Sequence, residues 1–255
     1  MEDSCKEGKY IYCIIASSGV QSFGPLGIGG RGDELHTVVF NDVSAVVSNS
    51  PIKTYPVSRE NVLTYERAIE EVMKERAVLP VRFNTIAESA DKLKKILAKE
   101  HDKFVELLKK IEGKKELGLK VIFKDDLIYK EILEKSEDIR KLKSAISAEP
   151  LAKTYFQRME IGKMVEAALQ KEKNACKEEI INTLSPIAQE VKVNNSYGEL
   201  MIINAAFLIE KEREAEFDRN VQELSEKESA RLKFKYTGNL PPFNFVNVVI
   251  RTAGD

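Results

Sequence analysis

The sequence predicts an α+β protein of two domains. The first is an N-terminal mixed sheet with two helices over residues 1–123, and the second a C-terminal ferredoxin-like unit with an added long helical segment over residues 124–255. Three observations carry this. A chain of 255 residues exceeds the usual size of one compact core, which favours domains of roughly 100 to 150 residues. A composition of 43% hydrophobic and 32% charged residues suits a globular protein with long charged helices. β-rich runs and amphipathic helical stretches occur in both halves, and near the C-terminus their order sets helix on antiparallel sheet.

Tyr10 to Ala16 is rich in β-favouring residues and reads as the first strand; the glycine-rich stretch Ser18 to Gly32 cannot sustain regular structure. Leu35 to Phe40 and Val43 to Ser48 form an antiparallel pair around Asn41-Asp42, a dipeptide that tolerates the positive φ of a tight turn. Ser58 caps a helix in which Val62, Tyr65, Ile69, Val72 and Met73 recur at helical spacing, and which should end near Arg76. Val78 to Ile86 returns to strand, with Pro80 near its start where a missing donor is tolerated. A second helix carries the stripe Leu93, Ile96, Leu97, Phe104, Leu107, Leu108 and Ile111 and closes at Gly113. Leu117 to Phe123 is the last strand assigned to the first domain.

Asp125 to Ile146 is helical, and a very long helical stretch runs from Ala152 to about Val191, with Pro186 as a candidate bend and Gly162 as a candidate close crossing. Leu200 to Ile209 reads as a buried strand, and Lys211 to Lys227 as an amphipathic helix carrying Phe217, Val221 and Leu224. Leu232 to Tyr236 and Phe245 to Ile250 read as two more strands.

Forty basic against forty-one acidic side chains give a net charge of -1, so no global field draws the protein to nucleic acid or anionic lipid. The lysine-rich stretch Lys92 to Lys120 is interrupted by acids throughout and reads as a solvated face. Cys5, Cys13 and Cys176 are odd in number and widely spaced, which argues for a reducing compartment. Glu2, Asp3 and Glu7 stand where a signal peptide would be basic, and no apolar run approaches the roughly 18 to 20 residues of a membrane span. A cytoplasmic, non-membrane protein is the expectation.

Gly27 to Gly32 formally satisfies GxGxxG, yet a strand rather than a helix follows it, so the amide end that would receive a pyrophosphate is missing. Arg31-Gly32-Asp33 carries equally little. His36 and His101 stand apart from any paired ligand spacing, and no GxSxG elbow or base-flanked cysteine is present, so neither a metal site, a cofactor nor a catalytic set is expected. Phe243 to Val248 resembles the aromatic strand of RNA-recognition domains but lacks its Lys/Arg-Gly opening; core packing of Phe245, Val246 and Val248 is the simpler reading. Arg82 lies in a strand-like run, where a charge is either ion-paired or presented to a partner. Asn84 and Thr85 mark a turn after it, asparagine being able to enter the left-handed region.

Leu79-Pro80-Val81-Arg82-Phe83-Asn84-Thr85 resembles the LPVRFGT signature of the gas vesicle protein F/L family, and Thr237 to Val246 resembles its terminal TGPWPPYSFV signature. Tyr10-Ile11-Tyr12, the glycine-rich loop, Val43 to Ser48, Lys114 to Val121 and Asn204 to Ile209 fall in the family's order, so the resemblance covers nearly the whole chain. This sequence departs from the pattern at Asn84, at Tyr65-Glu66, and at Asn239, Leu240, Phe243 and Asn244. The resemblance implies an accessory protein in gas vesicle nucleation or assembly that binds the small hydrophobic shell protein and other accessory proteins. It implies no chemistry on a substrate, and a location in the gas vesicle as a minor component or in the cytoplasm during assembly; with the charge balance and the missing motifs above, no cofactor, no nucleic-acid partner and no lipid membrane are expected. Candidate partner-binding residues are Arg82, Phe83, Pro241, Pro242 and Phe243. A ligand-sensing regulatory protein of ferredoxin-like fold is the alternative, and an RNA-binding module the third reading.

Overall fold

A computed structural model describes residues 6–147, 149–150 and 153–250. The readings placed on Glu2, Asp3, Cys5 and Ala152 lie outside the described residues. The chain divides into two compact units, one running to Glu116 and taking up the chain again from Asn239, the other spanning Leu117–Gly238.

The first unit contains β1 (Glu7–Ala16), β2 (His36–Phe40), β3 (Val43–Pro51), α1 (Arg59–Met73), β4 (Val78–Pro80), β5 (Ile86–Ala87), α2 (Ala90–Lys99) and α3 (His101–Ile111). Its sheet runs β2-β3-β1-β4, with β5 also on β1. These strand pairs are antiparallel, and the parallel element is a single bridge from Val81 to Val248. The β2–β3 hairpin turns at Asn41, whose φ of 53° is the left-handed conformation expected of that turn.

Residues 10–15 of β1 are buried on both faces, which is why this strand reads as a continuous apolar run. Its register slips between Ile11 and Cys13. One extra residue moves every later side chain to the other face. Tyr10 and Tyr12 therefore share a core with Cys13, Ile15 and α1, whereas Ile11 and Ile14 face the core that holds Leu93, Leu97, Phe104 and Leu108 of α2 and α3. The sheet is thus a middle layer between α1 and the α2–α3 pair.

Ser58 caps α1 as expected, its hydroxyl accepting from Asn61 N at 3.2 Å. The predicted strand Val78 to Ile86 is split: β4 ends at Pro80, and a turn intervenes before β5. The single helix predicted over Leu93 to Ile111 is likewise two, interrupted at Glu100. One apolar stripe nevertheless runs through both, so the sheet has three helices on it rather than two.

The second unit contains β6 (Lys114–Phe123, its first residues lying in the first unit), α4 (Asp125–Lys135), α5 (Glu137–Ile146), α6 (Tyr155–Leu184), β7 (Glu190–Val193), β8 (Met201–Glu210), α7 (Glu214–Lys227) and β9 (Leu232–Leu240). The order β7-β8-β6-β9 is that of a ferredoxin-like β-α-β-β-α-β unit in which α4, α5 and α6 make the first crossover and α7 the second. The first sheet has the same order, with the glycine-rich loop in place of the first crossover helix.

Three boundaries differ from the sequence reading. β6, assigned to the first domain, is an inner strand of the second sheet, so the division expected at residues 123 and 124 falls near Glu116. The long helix stops at Leu184, because Pro186 sits in a tight 3-10 turn at Ser185–Ile187 and the chain then enters β7. Phe245 to Ile250 form no strand of the second unit. Val246, Val248 and Ile250 instead join the α2–α3 core of the first.

Candidate functional site

The segments that carry the family signatures meet in the first unit. β4 delivers Val81 to β1, where its N–H donates to Tyr12 O at 2.9 Å, and the same residue bridges Val248. The turn after it is closed by Thr85 Oγ1 donating to Arg82 O at 2.6 Å. Asn84 occupies the left-handed region with φ 67°, the conformation that explains glycine at this place in the family pattern. Its amide N–H donates to Tyr10 OH at 2.8 Å and its side-chain oxygen accepts from Tyr55 N at 2.9 Å, so the asparagine adds a tie that glycine could not.

Beneath this turn lies a cluster of rings. Tyr10 and Tyr12 are 4.9 Å apart, Tyr65 stands edge-on to Phe83 at 5.4 Å, and Phe243 lies 6.2 Å from Tyr65. Offset and edge-on arrangements at these distances are the favourable ones. Each buried phenol has a partner: Tyr12 OH accepts from Ile28 N at 2.7 Å and shares a hydrogen bond with Ser48 Oγ at 2.9 Å, while Tyr65 OH donates to Val81 O. Burial pushes the Tyr12 phenol up to about 12 and raises those of Tyr10 and Tyr65 as well, so all three stay protonated at neutral pH.

The terminal signature is anchored by a residue the sequence did not single out. Glu116 is 1% exposed, and its two oxygens accept from Asn244 N at 2.9 Å and Asn244 Nδ2 at 2.6 Å. Glu116 follows Lys114-Lys115 and passes for one more solvated charge. Its position within a family-like β-rich segment was the signal available.

The candidate contact residues separate by exposure. Arg82 is exposed, and no ion pair to it is formed among the described residues. Phe243 is 43% exposed at the rim of the ring cluster. Phe83 is half-buried, whereas Pro241 and Pro242 are buried and shape the turn from within. The buried state of Phe245, Val246 and Val248 fits core packing, and the strand that base stacking would need is not formed.

The glycine-rich loop leads to β2 without a helix, as the sequence implied. A Cβ at Gly27 would stand 2.6 Å from Asp33 O, so the loop is closed there by a bare backbone. Arg31 ties it to β1 through Glu7 at 2.8 Å. Among the described residues no group of three or more His, Cys, Asp or Glu side chains is placed to hold a metal ion, and no helix is long and apolar enough to cross a membrane. Cys13 and Cys176 are free thiols, and burial raises the pKa of each.

Aromatic rings, an exposed guanidinium and hydrogen-bonded turns on an α+β scaffold make up this site. The family model for gas vesicle synthesis protein GvpL/GvpF matches residues 8–247, and the chain belongs to that family of gas vesicle accessory proteins. Gas vesicle protein F of Dolichospermum flosaquae is 29% identical over 84% of this chain and 88% of its own length. Gas vesicle protein F1 of Halobacterium salinarum is 25% identical over 96% and 95% of the two chains. The crystal structure of GvpF from Anabaena sp. PCC7120 superposes with a TM-score of 0.82 at 22% identity, covering 95% of this chain and 99% of that one. GvpF from Microcystis aeruginosa gives 0.76 at 23% identity over 94% and 99%. These two likenesses bear on the fold.

Proposed function

We propose that this chain is an assembly factor that binds the small hydrophobic shell protein of the gas vesicle, together with other accessory proteins, and limits aggregation of the shell protein before it enters the wall. A subunit destined for a gas-facing wall exposes apolar surface beforehand, and uncovered apolar surface or strand edge leads to association. Temporary cover by a larger protein is the simplest remedy. The protein would act at the growing vesicle or in the cytoplasm during assembly, and neither nucleic acid nor lipid bilayer enters the reading.

The observation that supports it is the convergence of two family segments, far apart in sequence, on one ring cluster of the first unit. Tyr65 packs against Phe83 of one segment and Phe243 of the other, and both Arg82 and Phe243 are exposed. Arginine and large aromatic side chains supply much of the energy of protein contacts, and a rigid floor lowers the ordering cost of binding. Pro241 and Pro242 set the turn that presents Phe243, and the Tyr65 ring lies against it.

Co-expression with the shell protein tests the proposal. The shell protein should remain in the soluble fraction and co-purify with this chain. Arg82→Ala combined with Phe243→Ala should lower the co-purified amount roughly tenfold while leaving the melting temperature near that of the parent. Unchanged shell solubility with and without this chain would sink the proposal.

A further inference from the structure

The helices that α+β topology adds to the second unit leave an open groove. Tyr129 and Leu133 of α4, Ile146 of α5, and Ile161 and Val165 of α6 wall a cavity of about 540 Å³, with Gly162 in its α6 wall. A second cavity of about 500 Å³ shares Tyr129, Gly162 and Val165 and continues along α6 to Lys173. From Arg158 to Lys173 the two span sixteen residues of helix, or about 22 Å over the fifteen steps between them at ~1.5 Å each.

Gly162 is the telling residue. Glycine is the poorest helix former after proline, and it lies within a helix of 30 residues. Close packing does not require it, because a Cβ built there would meet nothing within 4 Å. What the missing side chain does is deepen the groove. Tyr155 and Met159, seven and three residues earlier on the same face, are 61% and 44% exposed and extend the apolar surface toward the start of α6. Both charged residues of the larger cavity, Lys143 and Arg158, are cationic.

We propose that this groove docks an amphipathic helix of a partner protein, about four turns long, which lays its apolar stripe over Gly162 and carries an acidic residue at the end facing Lys143 and Arg158. The length and the apolar continuation past the cavity fit an elongated helix better than a compact small molecule, and the paired cations select an acidic flank. This site is built from residues of the second unit, whereas Arg82 and Phe243 belong to the first.

The test uses the full chain and a fluorescein-labelled, helix-stapled peptide of about fifteen residues with a leucine and alanine stripe and glutamates at one end. Its twin carries lysines instead. In fluorescence anisotropy the glutamate peptide should bind about tenfold tighter than its twin, and the double variant Lys143→Glu, Arg158→Glu should reverse that preference. Gly162→Leu should weaken binding about tenfold with the circular dichroism spectrum unchanged, and Gly162→Ala, which preserves the helix, should weaken it less. Binding indifferent to Gly162→Leu, or no saturable binding, overturns the proposal. So does decanoate that binds in a Gly162-dependent manner while the peptide does not. Concentration-dependent dimerisation abolished by Gly162→Leu would make a second copy the occupant, and would also overturn it. Arg82→Ala should leave peptide affinity untouched, which separates failure here from failure of the shell-protein reading.

Discussion

Glu116 shows how a single side chain fixes the position of a distant segment. Its carboxylate is buried, and it satisfies both the backbone and the side-chain N–H of Asn244. A buried donor that loses its acceptor costs about 1–3 kcal/mol. Glu116→Ala should therefore lower stability in urea denaturation by about 1–3 kcal/mol and speed proteolysis near Asn244, and a variant as resistant as the parent would refute the anchoring role. Nothing in the run Lys114-Lys115-Glu116 reveals this, because a carboxylate with a tertiary partner and one in solvent have the same sequence. Asn84 was legible for the opposite reason: its left-handed φ is a local property that residue type foretells. Arg82 was half legible. A charge in a strand-like run is paired or presented, and the fold adds that its side chain is exposed. Cys13, central in β1, carries a thiol whose pKa burial raises. It should resist maleimide labelling in the native state and react once urea exposes it.

At the level of elements, periodicity located apolar faces well and partners poorly. The stripe through α2 and α3 was read correctly although Glu100 breaks the helix, because a stripe records what is buried, not where hydrogen bonds lapse. The strand character of β6 is legible in its residues but its sheet is not, since strand pairing over long separations leaves no local trace. β7 was hidden inside a helical reading because its four residues, Glu190–Val193, are mostly exposed and carry little pattern. Gly162, where the sequence suggests a close crossing, borders open space. Gly162→Ala should for that reason stabilise α6 by about 0.8–1 kcal/mol in chemical denaturation; a loss of stability would mean that the backbone there is packed after all. His101 at the start of α3 ties to the β2–β3 turn, with Nε2 at 2.6 Å from Asp42 Oδ1. Its pKa is raised above 6.5, first by the hydrogen bond to Asp42 and next by that to Asp102, and the same bond lowers the pKa of Asp42. A raised histidine pKa contributes stability that is complete below the unfolded value and lost as pH rises through the folded one. The Asp42 contribution is lost at the other limit, as pH falls through its lowered folded-state value. NMR titration of the His101 ring should show the elevated midpoint, and Asp42→Asn should bring it down.

For the molecule as a whole, the consequential feature is that the first unit is discontinuous in sequence and the second is not. A reading that proceeds along the chain assigns the last residues to the last domain, so the return of the tail was invisible to it. The tail is nonetheless part of a core: Val246, Val248 and Ile250 pack in the cluster that contains Leu79, Leu93 and Phe104. Full burial of an aliphatic side chain contributes ~1.5–3 kcal/mol, so the trio amounts to about 5–9 kcal/mol as an upper figure. Domains are typically stable by only ~5–15 kcal/mol. Removing the chain beyond Gly238 should therefore unfold the first unit selectively. Amide hydrogen exchange is the measurement: protection in β1, β3 and α1 should collapse to that of the unfolded chain, while β8 and α7 keep theirs. The second unit expressed alone as residues 117–238 should melt cooperatively, because the apolar cluster drawn from β6, β8, α6 and α7 closes without the tail. Retained protection in β1 after truncation would show that the sheet and its helices suffice without the tail. In that case Phe243 would be a passenger on the first unit rather than a side chain the fold is built to present.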